Sequence, residues 1–421
     1  MKSGTVVGPL AGNRTLKVRI AVSFANRLLD SMITSFMAVY LAFTFGAATA
    51  GVLLFTVVGL GVAAMLIGGH ASEKYGRRRT LMLAEIGVFA TFALMAVAHS
   101  GLLSSPLLVY LGYLLNRFAA SAALPASEAL IVDVTTPQTR KEIYTVNYWA
   151  VNLGLALGAL LGAWLYDGHF DLMLGGAAVC TSGIVLSTVF LIQETRPSEG
   201  NRHRTPAGSV LYEFVSGYRL VLRDGRFMRL MTAAALTLAI EFQLINYVGV
   251  RLARDFPPQD LFSLNSLTVH VNGVQMLGVL RAENTALVVL LALFARRLFR
   301  GLSDRTGLYL GITLFTAGYM TLAVSDSGWV LLVAGLVFTV GELMNVPIKQ
   351  ALLADMVPDT DRSRYMAVYN LNIRVAQMIA ALFVALGTLV PSWGIALLYG
   401  LIGVVIISQY RAVLSGRPST V

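Results

Sequence analysis

The sequence predicts an all-α integral membrane fold of twelve transmembrane helices arranged as two pseudo-symmetric six-helix bundles. Three observations predict it: a scarcity of charge, a succession of apolar segments long enough to cross a bilayer, and one segment that recurs in both halves. Of the 421 residues, 56% are hydrophobic and only 13% charged, with a mean hydropathy of +0.71, whereas a soluble domain carries about a quarter charged residues. Most of the surface therefore faces something other than water. A spanning helix needs roughly 20 apolar residues, so a chain of this length has room for about twelve. Runs such as 51–68 and 177–192 also lack the polar stripe a soluble surface helix would show.

The spans are expected at 20–43, 49–69, 79–99, 105–132, 142–165 and 170–193 in the first half. In the second half they are expected at 228–250, 277–299, 306–324, 329–356, 365–388 and 392–412. The polar, Pro- and Gly-containing stretch ETRPSEGNRHRTPAGS divides the chain into a bundle at 1–195, a linker at 196–226 and a second bundle at 227–421. Within the linker, apolar residues from Val210 to Leu222 recur at helical spacing among basic ones, which predicts a short helix lying on the membrane surface.

The formal charge of +10 is sorted by connection rather than gathered on one face. Lys and Arg precede the first span, follow the second (Lys74, Arg77, Arg78, Arg79) and crowd the linker, and they recur after the fourth, eighth, tenth and twelfth spans. The alternate connections carry none, apart from Arg251 and Arg254. By the positive-inside rule this places both termini in the cytoplasm of a bacterial inner membrane, and it argues against a nucleic-acid partner, which would require a clustered basic face. The lone Cys180 falls in an apolar span and is expected to be buried; it supports neither a disulfide framework nor a thiol metal site. The five histidines are scattered. Neither a metal, a cofactor nor an enzymatic activity is expected, no pore-loop filter segment points to a channel, and the chain is expected to act as a monomer in the lipid bilayer.

The segment LPASEALIVDVTTPQTRKEIY from Leu124 aligns without a gap on VPIKQALLADMVPDTDRSRYM from Val346, so that Pro125 meets Pro347, Asp133 meets Asp355 and Arg140 meets Arg362. Parallel repeats of this kind place a substrate path between the halves near the membrane midplane.

Between the second and third spans, GGHASEKYGRRRTL supplies Gly69, Glu73, Gly76, Arg77, Arg78 and Leu81 at the spacing of G-x-x-x-D-R-x-G-R-R-x-x-L. This loop resembles the signature of the major facilitator superfamily, with Glu73 in the acidic position and Lys74 in place of the first arginine. The resemblance implies a conformational gate formed by Gly69, Glu73, Gly76, Arg77, Arg78 and Asp133. Arg117 resembles the arginine of the family's fourth-span motif. Gly154, Gly158 and Gly162 share one face of the fifth span and allow close helix packing, like the antiporter motif there, although Ala159 stands where that motif has proline. A second, partial copy of the signature loop keeps Asp304, Arg305 and Gly307. The chain most resembles the drug:proton antiporter branch, which includes multidrug efflux proteins.

An ionisable residue inside a span costs about 2.5 to 3.5 kcal/mol on insertion scales and so demands a partner, a wet cavity or a task. Arg27, Asp30 and Thr34 share a face of the first span, either as an internal pair or with Asp30 carrying a proton. Arg117 and Glu128 lie on one stripe of the fourth span; Arg117 beside Asp30 would resemble the carboxylate–arginine switch of proton-coupled relatives. Glu241 sits in the middle of the seventh span with no basic residue in its segment, and is a candidate for protonation or for binding a cation. Glu342 and Lys349 on the tenth span and Arg374 on the eleventh form either an interhelical pair or part of a ligand site. Tyr148, one turn before Asn152, is the aromatic best placed to stack on a lipophilic cation, with Phe36, Tyr40, Trp149 and Tyr247 as further possibilities. Two functions remain open at this point: export of small amphiphilic molecules or drugs in exchange for protons, and proton-coupled uptake of a sugar, osmolyte or organic anion.

Overall fold

The computed structural model describes residues 14–101, 103–133, 137–192, 221–264, 267–292, 294, 299, 301–358 and 361–415. The surface helix expected at 210–222 lies almost wholly outside them, and so do the side chains of Asp133 and Arg140.

Among the described residues, twelve helical segments are long and apolar enough to cross a membrane. The first six are α1 (Arg14–Phe45), α2 (Ala47–Tyr75), α3 (Arg77–His99), α4 (Pro106–Asp133), α5 (Pro137–Tyr166) and α6 (Phe170–Leu191). The seventh span is α7 (Gly225–Glu241), a 3-10 turn (Phe242–Ile245) and α8 (Tyr247–Asp255). A hairpin of β1 (Gln259–Leu264) and β2 (Leu267–Val271) follows, then α9 (Gly273–Ala292), α10 (Asp304–Val324), α11 (Gly328–Met356), α12 (Arg362–Leu386) and α13 (Ser392–Ser415).

The chain divides into two compact units, one of Met1–Gly46 with Leu53–Ser198 and one of Ala47–Val52 with Glu199–Val421. Each packs its spans by the same scheme. In the first unit α1 lies against α5 and α6, and α3 against α4 and α6. In the second, α7 lies against α12 and α13, and α10 against α11 and α13. First-with-fifth thus corresponds to seventh-with-eleventh, and third-with-fourth to ninth-with-tenth. The aligned prolines follow suit, Pro125 lying inside α4 and Pro347 inside α11.

Glycine sets the closest helix contacts. A Cβ on Gly154, Gly158 or Gly162 of α5 would sit 2.8, 2.3 or 2.4 Å from the carbonyl oxygens of Phe24, Leu28 and Met32 on α1. The small-residue stripe read from the sequence is therefore the seam between α5 and α1. In the signature loop the steric demand is distributed differently from the motif. Gly76, with φ 99° and ψ 153°, is the single residue joining α2 to α3, a conformation essentially reserved for glycine. A Cβ on Gly68 would meet the Ala122 carbonyl oxygen at 2.1 Å, whereas one on Gly69 would meet only Pro125 at an ordinary 3.9 Å. The close helix approach in this loop is made by Gly68 and not by the motif position Gly69.

Two further expectations change. Cys180 is exposed rather than buried, because it lies on the outward face of α6 with Val179 and Leu186. The seventh span, expected as one helix, is interrupted at Glu241. The hairpin was not anticipated at all; Gln259 ties it to the α10–α11 connection, its Oε1 accepting from the Gly328 N–H at 2.9 Å and its Nε2 donating to the Asp326 carbonyl at 2.8 Å.

Candidate functional site

In the first unit, helical spacing puts Arg27, Asp30 and Thr34 on one face of α1, and α4 brings Arg117 to the same place. Arg117 Nη1 pairs with Asp30 Oδ1. Arg27 Nη1 lies 3.5 Å from Asp30 Oδ2, and Thr34 Oγ1 donates to Asp30 Oδ1 at 3.3 Å. Arg117 also donates to Thr34 Oγ1 at 3.4 Å, and the Tyr113 ring, one turn earlier on α4, is within electrostatic reach of both charges. One carboxylate is thus held by two guanidiniums and a hydroxyl, with the Asp30 and Arg117 side chains 27% and 24% exposed. Such a group retains access to water or substrate while its charge is balanced by neighbours.

Other predicted residues of this unit lie elsewhere. Glu128 is exposed, three helical turns along α4 from Arg117. Tyr148 and Trp149 are exposed, and Asn152 donates from Nδ2 to the Tyr148 carbonyl at 2.8 Å, which uses the amide locally. Phe36 and Tyr40 are buried; Tyr40 stacks on Phe170 at 5.1 Å and Phe36 packs against Tyr166, so both belong to an aromatic core rather than an open cavity wall.

Among the described residues, the basic residues of the signature loop reach carbonyls near helix ends. Arg77 Nη1 donates to the Ala129 carbonyl of α4 at 3.1 Å, and Arg78 Nη2 donates to the Val189 carbonyl of α6. The Val189 carbonyl lies in the last turn of α6, where carbonyls lack helical partners and carry the negative end of the dipole, and Ala129 sits one residue before the last four of α4. Glu73 is exposed.

The same unit contains two buried ionisable residues that the sequence reading missed as site candidates. Arg19, taken there as a topology-setting charge, is 1% exposed on α1 and donates through Nη2 to Ser127, while Glu85 on α3 is 4% exposed. Arg19 and Glu85 interact electrostatically. The signal available was Glu85 itself, a carboxylate in the middle of an apolar run.

In the second unit, Glu241 is the last residue of α7. Three carbonyls around the break accept from side chains. Gln243 Nε2 donates to Ala239 O at 3.0 Å, Tyr319 OH to Glu241 O at 3.0 Å and Asn246 Nδ2 to Phe242 O at 2.8 Å, as a broken helix in a membrane requires. Glu342 on α11 accepts from Asn284 Nδ2 on α9 at 3.1 Å, and Asn284 also donates to Thr339 Oγ1 at 3.0 Å. The charged groups within electrostatic reach of Glu241 are Glu342, Lys349 and Arg281. Arg374 donates to Gln377 on its own helix at 3.3 Å.

Tyr247, the remaining aromatic candidate, is buried at the start of α8. Among the described residues no group of three or more His, Cys, Asp or Glu side chains converges as a metal centre would.

This architecture, twelve spans in two units with one packing scheme and charges held inside each, defines a multi-pass membrane transporter. The chain belongs to the major facilitator superfamily, whose family model matches residues 20–280. It is 30% identical over 377 residues to a Na(+), Li(+), K(+)/H(+) antiporter of Planococcus maritimus, covering 87% of this chain and 88% of that one. It is 24% identical over 329 residues to the multidrug resistance protein MdtH of Escherichia coli, covering 77% and 73%. Among solved structures it resembles a POT family transporter in complex with a thioalcohol-conjugated peptide, with a TM-score of 0.76 at 14% identity over 95% and 96% of the two chains. A POT family transporter bound to 5-aminolevulinic acid gives a TM-score of 0.75 at 14% identity over 96% of each chain. The protein is a secondary transporter of the major facilitator type.

Proposed function

We propose that this transporter is a proton-coupled antiporter that exports positively charged small molecules, amphiphilic drugs among them, across the bacterial inner membrane. In this reading it works as a monomer by alternating access, with both termini in the cytoplasm as the loop charges favour. The observation that carries the reading is the Asp30–Arg117 pair with Arg27 and Thr34 around it. Protonation of Asp30 removes the charge that holds Arg117, so the pair has two arrangements that a proton selects between. In the second unit, Glu241 and Glu342 supply negative charge for a cation. The two relatives, one an alkali-cation/proton antiporter and one a multidrug resistance protein, support exchange of a cation for a proton over symport. The first of them also favours a second substrate class, inorganic monovalent cations.

Inverted membrane vesicles energised to an acid interior and loaded with acridine orange test the proposal. Addition of ethidium, or of NaCl, KCl or LiCl, is expected to release protons and restore fluorescence, and Asp30→Asn is expected to abolish the response to all of them. Uptake of a sugar, osmolyte or organic anion driven by an inward proton gradient, with no cation-induced proton release, overturns it.

A further inference from the structure

The second unit holds a cluster whose composition is more specific than a cation-attracting surface. Two carboxylates, Glu241 and Glu342, lie within electrostatic reach of one ammonium, Lys349, and Arg281 adds a second positive charge near Glu241. Lys349 is 8% exposed and projects from the same helix as Glu342, seven residues or two turns further on. Seven residues is close to two full turns of 3.6, so both side chains emerge on one face of α11. Facing them, α7 ends at Glu241 and the chain tightens into the 3-10 turn. A tightened or broken turn in mid-span marks functional sites in membrane helices.

The neutral polar groups around the break point the same way. The backbone carbonyls it frees are already taken by Gln243, Tyr319 and Asn246. Left over are side-chain oxygens. Gln243 is 1% exposed and its Oε1 has no hydrogen-bond partner; Asn345, one turn from Glu342, is also 1% exposed and its Oδ1 has none. Glu241 makes neither a side-chain hydrogen bond nor an ion pair within contact distance among the described residues. Buried amide oxygens are almost always satisfied in folded proteins. An unsatisfied amide oxygen two residues from Glu241 and another one turn from Glu342 suit a small cation, which needs acceptors only.

We propose that the break in the seventh span is a binding site for a compact monovalent cation, an alkali ion or a primary ammonium, and that the Lys349 ammonium is a tethered stand-in which the substrate displaces from Glu241 and Glu342. With all four groups charged, the two carboxylates are balanced by Lys349 and Arg281. A cation can enter without leaving a net charge in the low-dielectric bundle only if one positive charge leaves, and the flexible stem of Lys349 lets its head move, whereas a planar guanidinium fork such as that of Arg281 is the less adaptable kind of group. One tethered charge makes room for one substrate charge, so monovalent ions are favoured over divalent ones. The stand-in also sets the size: the site accommodates an ammonium head group, which is comparable to potassium and far smaller than an aromatic dye.

This inference rests on the proposed cation antiport, deepens it at one site, and can fail separately from it. Purified protein in detergent is titrated with KCl, NaCl, LiCl or methylammonium chloride at an ionic strength held with N-methylglucamine chloride, and the thermal midpoint reads binding. The same protein in proteoliposomes with an internal pH dye reads exchange. Lys349→Gln is expected to tighten the apparent affinity for the compact cations about tenfold, a coupling of ordinary size between competing sites, and to change the KM for ethidium by much less. Lys349→Arg, which retains the charge and tests folding independently, is expected to keep or weaken the wild-type affinity. Glu241→Gln is expected to abolish the thermal response to KCl. Unchanged compact-cation affinity in Lys349→Gln, an equal shift for ethidium, or no thermal response of the wild type to any compact cation overturns the site. Ethidium-driven proton release that persists alongside any of these results leaves the antiport reading standing; its absence sinks that reading while the thermal titration still judges the site.

Discussion

Arg117 on α4 closes on Asp30 of α1 across 87 positions of sequence, and Arg27 stands on the other side of the same carboxylate. Helical spacing within α1 explains only the second contact. The first is made by the fold, which lays two polar stripes against each other inside one six-helix unit.

The pair yields a prediction about charge rather than shape. Asp30→Asn leaves Arg117 and Arg27 facing an amide, and Arg117→Gln leaves the carboxylate with Arg27 alone. Losing one partner of a partly buried charged hydrogen bond costs roughly 1–3 kcal/mol, so each single variant should show a lowered thermal midpoint and lost exchange. The double variant removes both charges and is expected to recover much of the stability but none of the proton coupling. A double variant no more stable than the worse single one would mean that the two residues do not depend on each other.

The glycine seam between α5 and α1 predicts a reversal of helix propensity. Alanine is favoured over glycine by up to about 1 kcal/mol in a helix interior, and Gly175 and Gly176 of α6 have open space where a Cβ would go. Gly175→Ala should therefore be neutral or stabilising. Gly158→Ala places a methyl 2.3 Å from the Leu28 carbonyl, and overpacking of this kind costs typically about 1–3 kcal/mol. Thermal unfolding in detergent should rank Gly175→Ala above wild type or level with it, and Gly158→Ala clearly below.

Much of the architecture was legible in the sequence because a bilayer enforces length and polarity on every span. All twelve segments were visible as apolar runs, and the small-residue seam showed as a three-glycine stripe. What the sequence could not show was which partner each polar group finds. The interruption at Glu241 contains neither Gly nor Pro, so no backbone rule announced it; it persists because Tyr319, Gln243 and Asn246 satisfy the carbonyls it frees. Arg19 was read as an orienting charge because it precedes the apolar core of α1, yet α1 begins at Arg14 and carries Arg19 into the protein. Arg251 and Arg254 broke the sorting of positive charge for a similar reason: Arg251 pairs with Asp326 and Arg254 with Asp255, so neither stands as an uncompensated loop charge.

The signature loop separates what a motif names from what sterics require. Gly69 is the motif position, but Gly68 makes the tight contact with Ala122 and Gly76 has the backbone conformation that side chains avoid. Gly69→Ala should therefore retain transport near wild type. Gly68→Ala should lose folded protein, since its Cβ would overlap the α4 backbone. Gly76→Ala carries a strain of about 1–3 kcal/mol at the residue that positions Arg77 and Arg78 against the ends of α4 and α6, and is expected to slow exchange more than it lowers the thermal midpoint. Equal effects at all three positions would remove the steric basis of this ranking.

Arg251 gives a prediction about an anchor at the far end of the seventh span. Its side chain is 4% exposed; Nη1 donates to the Leu322 carbonyl at 3.2 Å and the Ser325 carbonyl at 2.7 Å, while Nη2 pairs with Asp326. One guanidinium thus satisfies the C-terminal carbonyls of α10 and fixes α8 beside it, a fork that a lysine point charge cannot reproduce. Arg251→Lys is expected to lower the thermal midpoint although the charge is kept, because at least one buried carbonyl loses its donor. Asp326→Asn, whose side chain is 55% exposed, should cost much less, since exposed ion pairs contribute about 0–1 kcal/mol. If Asp326→Asn proves as damaging as Arg251→Lys, the anchor is the ion pair and not the helix-end carbonyls.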